Sequence, residues 1–242
     1  MLSRSPRSVV IDSDRHAADH DGNGYAIVAV DVIRATTTAI TAVTLGWRCF
    51  PVADLEAATA TAARLDNPLL AGEQGGNVPY GFDLDNSPAA LARRQDVWRP
   101  LVLLSSSGTR LMTRQAGHKP VYAACLRNAS AQLQQLIRCH PHVALIGATS
   151  RGEFREEDQW CCALLAAGLI RAGYTPQGAT LDLVQRWSST AVQTAFAYSN
   201  SVAFLHATGR TDDLDFILAH QDDVEATFVV RDGELVMVPV GD

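Results

Sequence analysis

Positive charge is in short supply: 20 Lys+Arg stand against 26 Asp+Glu, a net charge of −6, and no basic block occurs anywhere. Binding to nucleic acid by counterion release has no footprint here, so no nucleic-acid partner is expected. Long apolar runs are also missing. The longest, Cys161 to Ile170, is about half of the roughly 20 residues a membrane-spanning helix needs, which excludes a membrane role. The opening MLSRSPRSVVID meets Asp12 straight after the short run Ser8–Ile11, well under the roughly 7 to 15 apolar residues of a secretory signal. Cysteine is sparse and shows no C-x-x-C: Cys49, Cys125, Cys139, Cys161 and Cys162 form an odd set. They read as reduced core thiols of a cytoplasmic protein, not as a disulfide or zinc framework. The histidines show no H-E-x-x-H motif, which argues against a zinc hydrolase site.

What is present is an alternation of β-like apolar runs with amphipathic stretches. Candidate strands are Ser8–Ile11, Tyr25–Val30, Arg48–Val52, Leu69–Ala71, Leu101–Leu104, Val121–Ala123, Val143–Ile146 and a closing pair around Asp232-Gly233, a strong hairpin signal. The intervening helices carry their own caps, with Asp54, Ser87-Pro88 and Ser130 as starts and Gly46 as a stop. From about Glu156 the pattern turns mostly helical. The expected fold is a three-layer α/β/α arrangement with a mainly parallel sheet and a helical C-terminal portion ending in a β-hairpin, as one domain over residues 1–242.

Four segments at the ends of apolar runs carry chemistry. Asp31 ends one run, with Arg34 and Thr36-Thr37 beside it. A second run leads through Gly72-Glu73 to Asp83, Asn86 and Ser87-Pro88. A third enters the turn Ser105–Arg110, and a fourth runs from Gly147 through Arg151 to the acidic helix start Glu156-Glu157-Asp158. Hard carboxylate oxygens at successive strand ends are how a site recruits magnesium, which keeps several waters and takes one or two protein carboxylates. Hydroxyl- and glycine-rich turns with arginines suit an oxyanion. If the strands are parallel, Asp31, Glu73, Asp83, Ser105–Thr109 and Gly147–Asp158 converge on one carboxyl edge. The carboxylates of Asp31 and Asp83 and the backbone of Gly108 should then line one cleft, the carboxylates roughly 4 to 7 Å apart across a hydrated ion.

These same residues carry a likeness. DVIRATTT at Asp31–Thr38, GE at Gly72–Glu73, GFDLDNSP at Gly81–Pro88, SSSGT at Ser105–Thr109, RNA at Arg127–Ala129, and Gly147–Gly152 followed by Glu157-Asp158 resemble the 2-phosphosulfolactate phosphatase family, over most of the chain. The resemblance implies a Mg²⁺-dependent hydrolase of the phosphate monoester of a small sulfonated, carboxylated hydroxy acid, a step on a coenzyme M route. On that basis the expected catalytic residues are Asp31, Arg34, Glu73 and Asp158. The magnesium ligands come from Asp31, Glu73, Asp83, Glu157 and Asp158, with the division between metal binding and acid/base work left open. Substrate contacts are assigned to Thr36, Thr37, Asn86, Ser87, Ser107, Gly108, Thr109, Arg110, Asn128 and Arg151. The expected partner is a small phosphorylated acidic substrate, with a homodimer as the assembly considered. The competing reading is a small-anion binder that keeps the fold without turnover.

Overall fold

The computed structural model describes residues 6–13, 20, 24–114, 121–150, 152–197 and 199–241. Its strands are β1 (Ser8–Ser13), β2 (Ala26–Val30), β3 (Cys49–Val52), β4 (Leu69–Gly72), β5 (Leu101–Leu104), β6 (Tyr122–Ala124), β7 (His142–Gly147), β8 (Thr149–Ser150), β9 (Glu153–Phe154), β10 (Thr175–Gln177), β11 (Thr227–Arg231) and β12 (Glu234–Val238). Its helices are α1 (Ala35–Thr44), α2 (Leu55–Ala62), α3 (Pro88–Ala92), α4 (Gly108–Met112), α5 (Ala129–Cys139), α6 (Glu156–Arg171), α7 (Thr180–Trp187), α8 (Val192–Ala197), α9 (Asn200–Ala207) and α10 (Thr211–Ala219).

Strands as uniformly apolar as AIVAV and LVLL have no solvent face to offer, and every residue of β2 and β5 is buried. Successive side chains go to opposite faces. Val28 and Val30 join a core that includes buried residues of α5, α6 and α8, whereas Ile27 and Ala29 join one built on α1, α3 and α4. That is the three-layer arrangement expected. The main sheet runs β10-β1-β7-β2-β6-β11-β12-β3-β5-β4. Its ladders are parallel except the three that involve the C-terminal hairpin β11–β12.

That inserted hairpin has a consequence for the site. Passing from β6 through β11 and β12 to β3 reverses direction at each ladder, so β3, β5 and β4 run opposite to β2 along the sheet. Sheet twist largely compensates. From β2 to β5 there are five strand steps, and roughly 20 to 25° of rotation per step swings β5 by about 100 to 125°. The sheet thus curls round α1, which touches β3, β5, β6 and β12 and is buried from Ala35 to Ala42. The carboxyl ends of β2, β5 and β4 meet over its N-terminus.

Local signals mostly hold. Asp54 accepts from the Ala57 N–H and Ser87 from the Ala90 N–H, capping α2 and α3. Asp232 and Gly233 both have positive φ between β11 and β12, as a tight hairpin turn requires. Ser130 does not cap α5: the helix starts one residue earlier, and both the Ser130 N–H and its hydroxyl bind the carboxylate of Asp222. Four elements carry no clear sequence signal: α9, the two-residue strands β8 and β9, and β10, whose TPQ is short and holds a proline at an exposed edge. All five cysteines are free and four are buried, while Cys139, at the end of α5, is exposed. No helix among the described residues is long and apolar enough to cross a membrane.

Candidate active site

The site begins where β2 stops. Asp31 is held in place from several sides: its N–H donates to Thr36 Oγ1 at 3.0 Å, its carbonyl accepts from the Thr36 N–H at 3.0 Å and the Thr36 hydroxyl at 2.7 Å, and Oδ1 accepts from the Ala35 N–H at 3.1 Å. Thr37 donates its hydroxyl to the Val32 carbonyl and Thr38 to that of Arg34. The threonines assigned to substrate are instead consumed in building this turn, which explains their complete burial. The remaining oxygen of Asp31, Oδ2, faces Gly108. A Cβ at that glycine would stand 2.1 Å from it, so only glycine lets α4 approach.

Two other strand ends bring acids to the same place. After β4, Glu73 accepts from the Ser106 N–H at 2.7 Å through Oε1. Its Oε2 accepts from the Ser106 hydroxyl at 3.0 Å and the Gly76 N–H at 2.8 Å, which locks the β4 and β5 loops together. After β7, the first turn of α6 supplies Asp158, whose Oδ1 accepts from the Val32 N–H at 2.7 Å, and Glu157, whose Oε2 accepts from the Ser199 hydroxyl at 2.5 Å. Oε1 of Glu157 is buried with no hydrogen-bond partner.

Packing these carboxyls together out of water has the expected electrostatic result. Burial pushes the Asp31 carboxyl up to about 7; the Ala35 N–H and Arg34 oppose this, while repulsion from Glu73 and Glu157 adds to it. Asp158 lies well above the usual carboxylate range, first through burial and then through Glu157 and Asp31. Burial also raises Glu157, against the hydroxyls of Ser199 and Ser201. Burial and mutual repulsion thus work against ionising Asp31, Glu157 and Asp158 together, and a bound cation would offset both.

Asp31, Glu73 and Asp158 open into a cavity of about 520 Å³, which Arg34, Asn86, Ser106, Ser107, Ser150, Arg155, Asn200 and Phe204 also line, within the usual range for a small-molecule site. Asn86 is almost fully buried and its Oδ1 has no partner. Arg34 is already engaged: Nη1 donates to Asp213 Oδ2 at 2.5 Å and Nη2 to Asp85 Oδ2 at 2.8 Å.

Several expected members lie elsewhere. Asp83 is the clearest correction: its Oδ2 accepts from the Leu70 N–H and pairs with Arg99 at 3.3 Å. It therefore sits at the amino end of β4, whereas Glu73 and the cavity are at the carboxyl end. The GFDLDNSP segment runs parallel to β4, with Leu84 beside Ala71, so its first acid lies at the amino end and its second, Asp85, reaches Arg34 at the carboxyl end. Ser87 caps α3 and donates to Asp213 at 2.6 Å. Thr109 bonds within the Ser105 turn, Arg110 is exposed outside the cavity lining, and Asn128 closes the turn at Cys125. Glu157 sits behind the cavity wall. Arg151 lies outside the described residues. The sequence reading missed Arg155, Asn200, Ser201 and Asp213. Arg155 stood two residues before the assigned Glu157, but the α9 and α10 residues follow no strand and no glycine-rich turn.

An α/β sheet that gathers carboxyls and hydroxyl-rich loops at its strand ends, round a cavity of this size, defines a small-molecule site of the strand-end class. Within that class the assignment is specific. A family model described as 2-phosphosulpholactate phosphatase matches residues 12–232, and the chain belongs to that family, as its motifs suggested. It is 31% identical over 223 residues to a protein of Symbiobacterium thermophilum named probable 2-phosphosulfolactate phosphatase, covering 90% of this chain and 91% of that one. Proteins of the same name from Pseudothermotoga lettingae and Synechococcus sp. (strain CC9605) are 37% and 35% identical over 142 and 161 residues. Those two matches take in 58% and 65% of this chain, and 61% and 66% of the relatives' own length.

Proposed function

We propose that the protein is a Mg²⁺-dependent phosphatase that hydrolyses 2-phosphosulfolactate, or a closely related phosphorylated hydroxy acid, to the free hydroxy acid and phosphate. The observation that carries this reading is the Asp31 carboxyl, raised to about 7 at the mouth of a cavity it shares with Asp158 and Glu73. The family names the substrate class, and the three strand-end acids that line the cavity, Asp31, Glu73 and Asp158, favour turnover over simple anion binding, because a module that only held anions would gain nothing from such carboxyls.

The donor set suits magnesium. It offers only oxygen. Among the described residues no three His, Cys, Asp or Glu form a ready-made cage, which leaves the one or two carboxylates that this ion takes. Asp31 and Asp158 would hold it, each with one oxygen tied to a backbone N–H and one left over. When bound, the ion supplies neutralising charge to the transferring phosphoryl oxygens. The remaining work falls to the chain. Glu73 orders the Ser106 and Gly76 N–H groups, Gly108 admits α4 beside Asp31, and Arg34, anchored by Asp85 and Asp213, fixes the loop that presents Asn86. A cytoplasmic location and a place on a coenzyme M-type route are part of the same reading.

The test is phosphate release from 2-phosphosulfolactate, with and without Mg²⁺, by wild type and Asp31→Asn. Turnover that needs Mg²⁺, stops with EDTA and is lost in the variant is expected. Inactivity with every divalent metal tried would favour the small-anion binder, and full turnover after exhaustive chelation would remove the metal.

A further inference from the structure

Two arginines line the cavity among the described residues, and they are not equivalent. Arg34 has both Nη groups on carboxylates. Arg155 occupies the N-cap position of α6; its side chain is only 9% exposed, its Nη1 pairs with Glu153 at 2.5 Å, and its Nε is buried with no hydrogen-bond partner. A guanidinium N–H left unpaired in a buried place is costly, and it is costly for nothing unless a ligand takes it. Glu153, its partner, is 63% exposed and also receives Asn200 Nδ2 at 3.4 Å, so the arginine faces a polar wall that a ligand can displace or extend.

The turn that carries the arginine is packed in place. Phe154 packs on Gly147, where a Cβ would come within 2.0 Å of the ring, and the Phe154 carbonyl accepts from Gln159 Nε2 at 2.7 Å. Arg155 enters the cavity from the turn between β9 and α6, whereas Asp31 enters it from the end of β2. A substrate whose phosphate is held at Asp31 leaves its second acid group for another cation of the same lining, and Arg34 is already committed to Asp85 and Asp213.

The geometry points to Arg155 as the specificity-determining residue that receives the second acid group of the substrate, its carboxylate or sulfonate, through the Nε–Nη2 edge of its guanidinium. This rests on the phosphatase reading above. Arginine is apt because its planar fork pairs with two oxygens of such a group at once.

The experiment compares kcat/KM for 2-phosphosulfolactate with that for p-nitrophenyl phosphate, which has no second acid group, in wild type, Arg155→Ala and Arg155→Lys. The ratio between the two substrates is expected to fall at least thirtyfold in Arg155→Ala and by about tenfold in Arg155→Lys, which keeps the charge but not the fork. A structural role would lower both substrates together, and an unchanged ratio in both variants overturns the assignment. If the wild type hydrolyses neither phosphomonoester, the phosphatase reading fails separately. Calorimetric titration with sulfolactate then decides: binding at least tenfold weaker in Arg155→Ala supports the assignment, and equal binding, or none by the wild type, overturns it.

Discussion

Arg34 and Asp213, far apart in the chain, meet at 2.5 Å with side chains 5% and 2% exposed. Asp213 also accepts from the Ser87 hydroxyl and the Ala89 N–H through its other oxygen, while Arg34 reaches on to Asp85, which Arg210 contacts as well. The two most distinctive motifs of the chain, DVIRATTT and GFDLDNSP, are therefore joined through a helix from its C-terminal part.

Removing one partner of a buried, hydrogen-bonded ion pair leaves the other charge stranded. Asp213→Ala is expected to cost about 3 to 5 kcal/mol, measured as a drop in the free energy of urea unfolding. A loss under about 1 kcal/mol, the range of an exposed pair, would mean that Arg34 finds another partner.

Gly108→Ala places a methyl 2.1 Å from Asp31 Oδ2 and 2.6 Å from the Ala35 Cβ. Neither neighbour is the end of a flexible chain, so α4 or the Asp31 turn has to shift. Misplacing a reacting group by about 1 Å costs on the order of 10²-fold in rate. That loss in kcat is expected, with the circular dichroism of the fold retained. Turnover equal to wild type would show that the Asp31 turn does not depend on this approach.

The acid cluster makes a signed prediction about stability. The Asp31 carboxyl rises from 3.8 when unfolded to about 7 when folded, so between those values the native state binds more protons than the unfolded chain. Stability then falls as pH increases through this window, by up to about 1.4 kcal/mol per pH unit for one proton, and Asp158 and Glu157 shift in the same direction. Urea unfolding of the chelated protein from pH 4.5 to 7 should show this decline, and Asp31→Asn should make it shallower. A rise in stability over that range would contradict the burial of the cluster.

Much of this fold was legible because local signals and global need agree. Runs such as AIVAV and LVLL can only be buried strands, Asp54 and Ser87 are caps by their chemistry, and Asp232-Gly233 can hardly be anything but a hairpin. The strand-end acids Asp31, Glu73 and Asp158 could be found because β-like runs precede them or open into their loops. Three things were not legible. The reversal of β3, β4 and β5 by the inserted hairpin is set by long-range pairing, which no local pattern encodes. The roles of Thr36, Thr37 and Ser87 depend on whether each hydroxyl meets backbone or solvent. Asp213 reaches the site from α10, where an acid in a first helical turn reads only as a dipole partner.

Asp83, the first acid of GFDLDNSP, stands apart from the strand-end cluster. Asp83 is 43% exposed on its side chain and bound to Arg99 at 3.3 Å. Such a pair contributes up to about 1 kcal/mol, and an asparagine oxygen can still accept from the Leu70 N–H. Asp83→Asn is therefore expected to keep kcat/KM within about threefold of wild type, less than 1 kcal/mol of transition-state stabilisation, with a stability loss of about the same size. Asp158→Asn removes a carboxylate from the cavity itself, and its expected loss is about 10³-fold or more, on the order of 4 kcal/mol. Steady-state kinetics at saturating Mg²⁺ on both variants, with unfolding curves to verify the fold, make the comparison. If Asp83→Asn lost turnover while its unfolding curve matched wild type, the Asp83 loop would have to swing round β4 to reach the cavity, and the separation between the two ends of that strand would no longer describe the working enzyme.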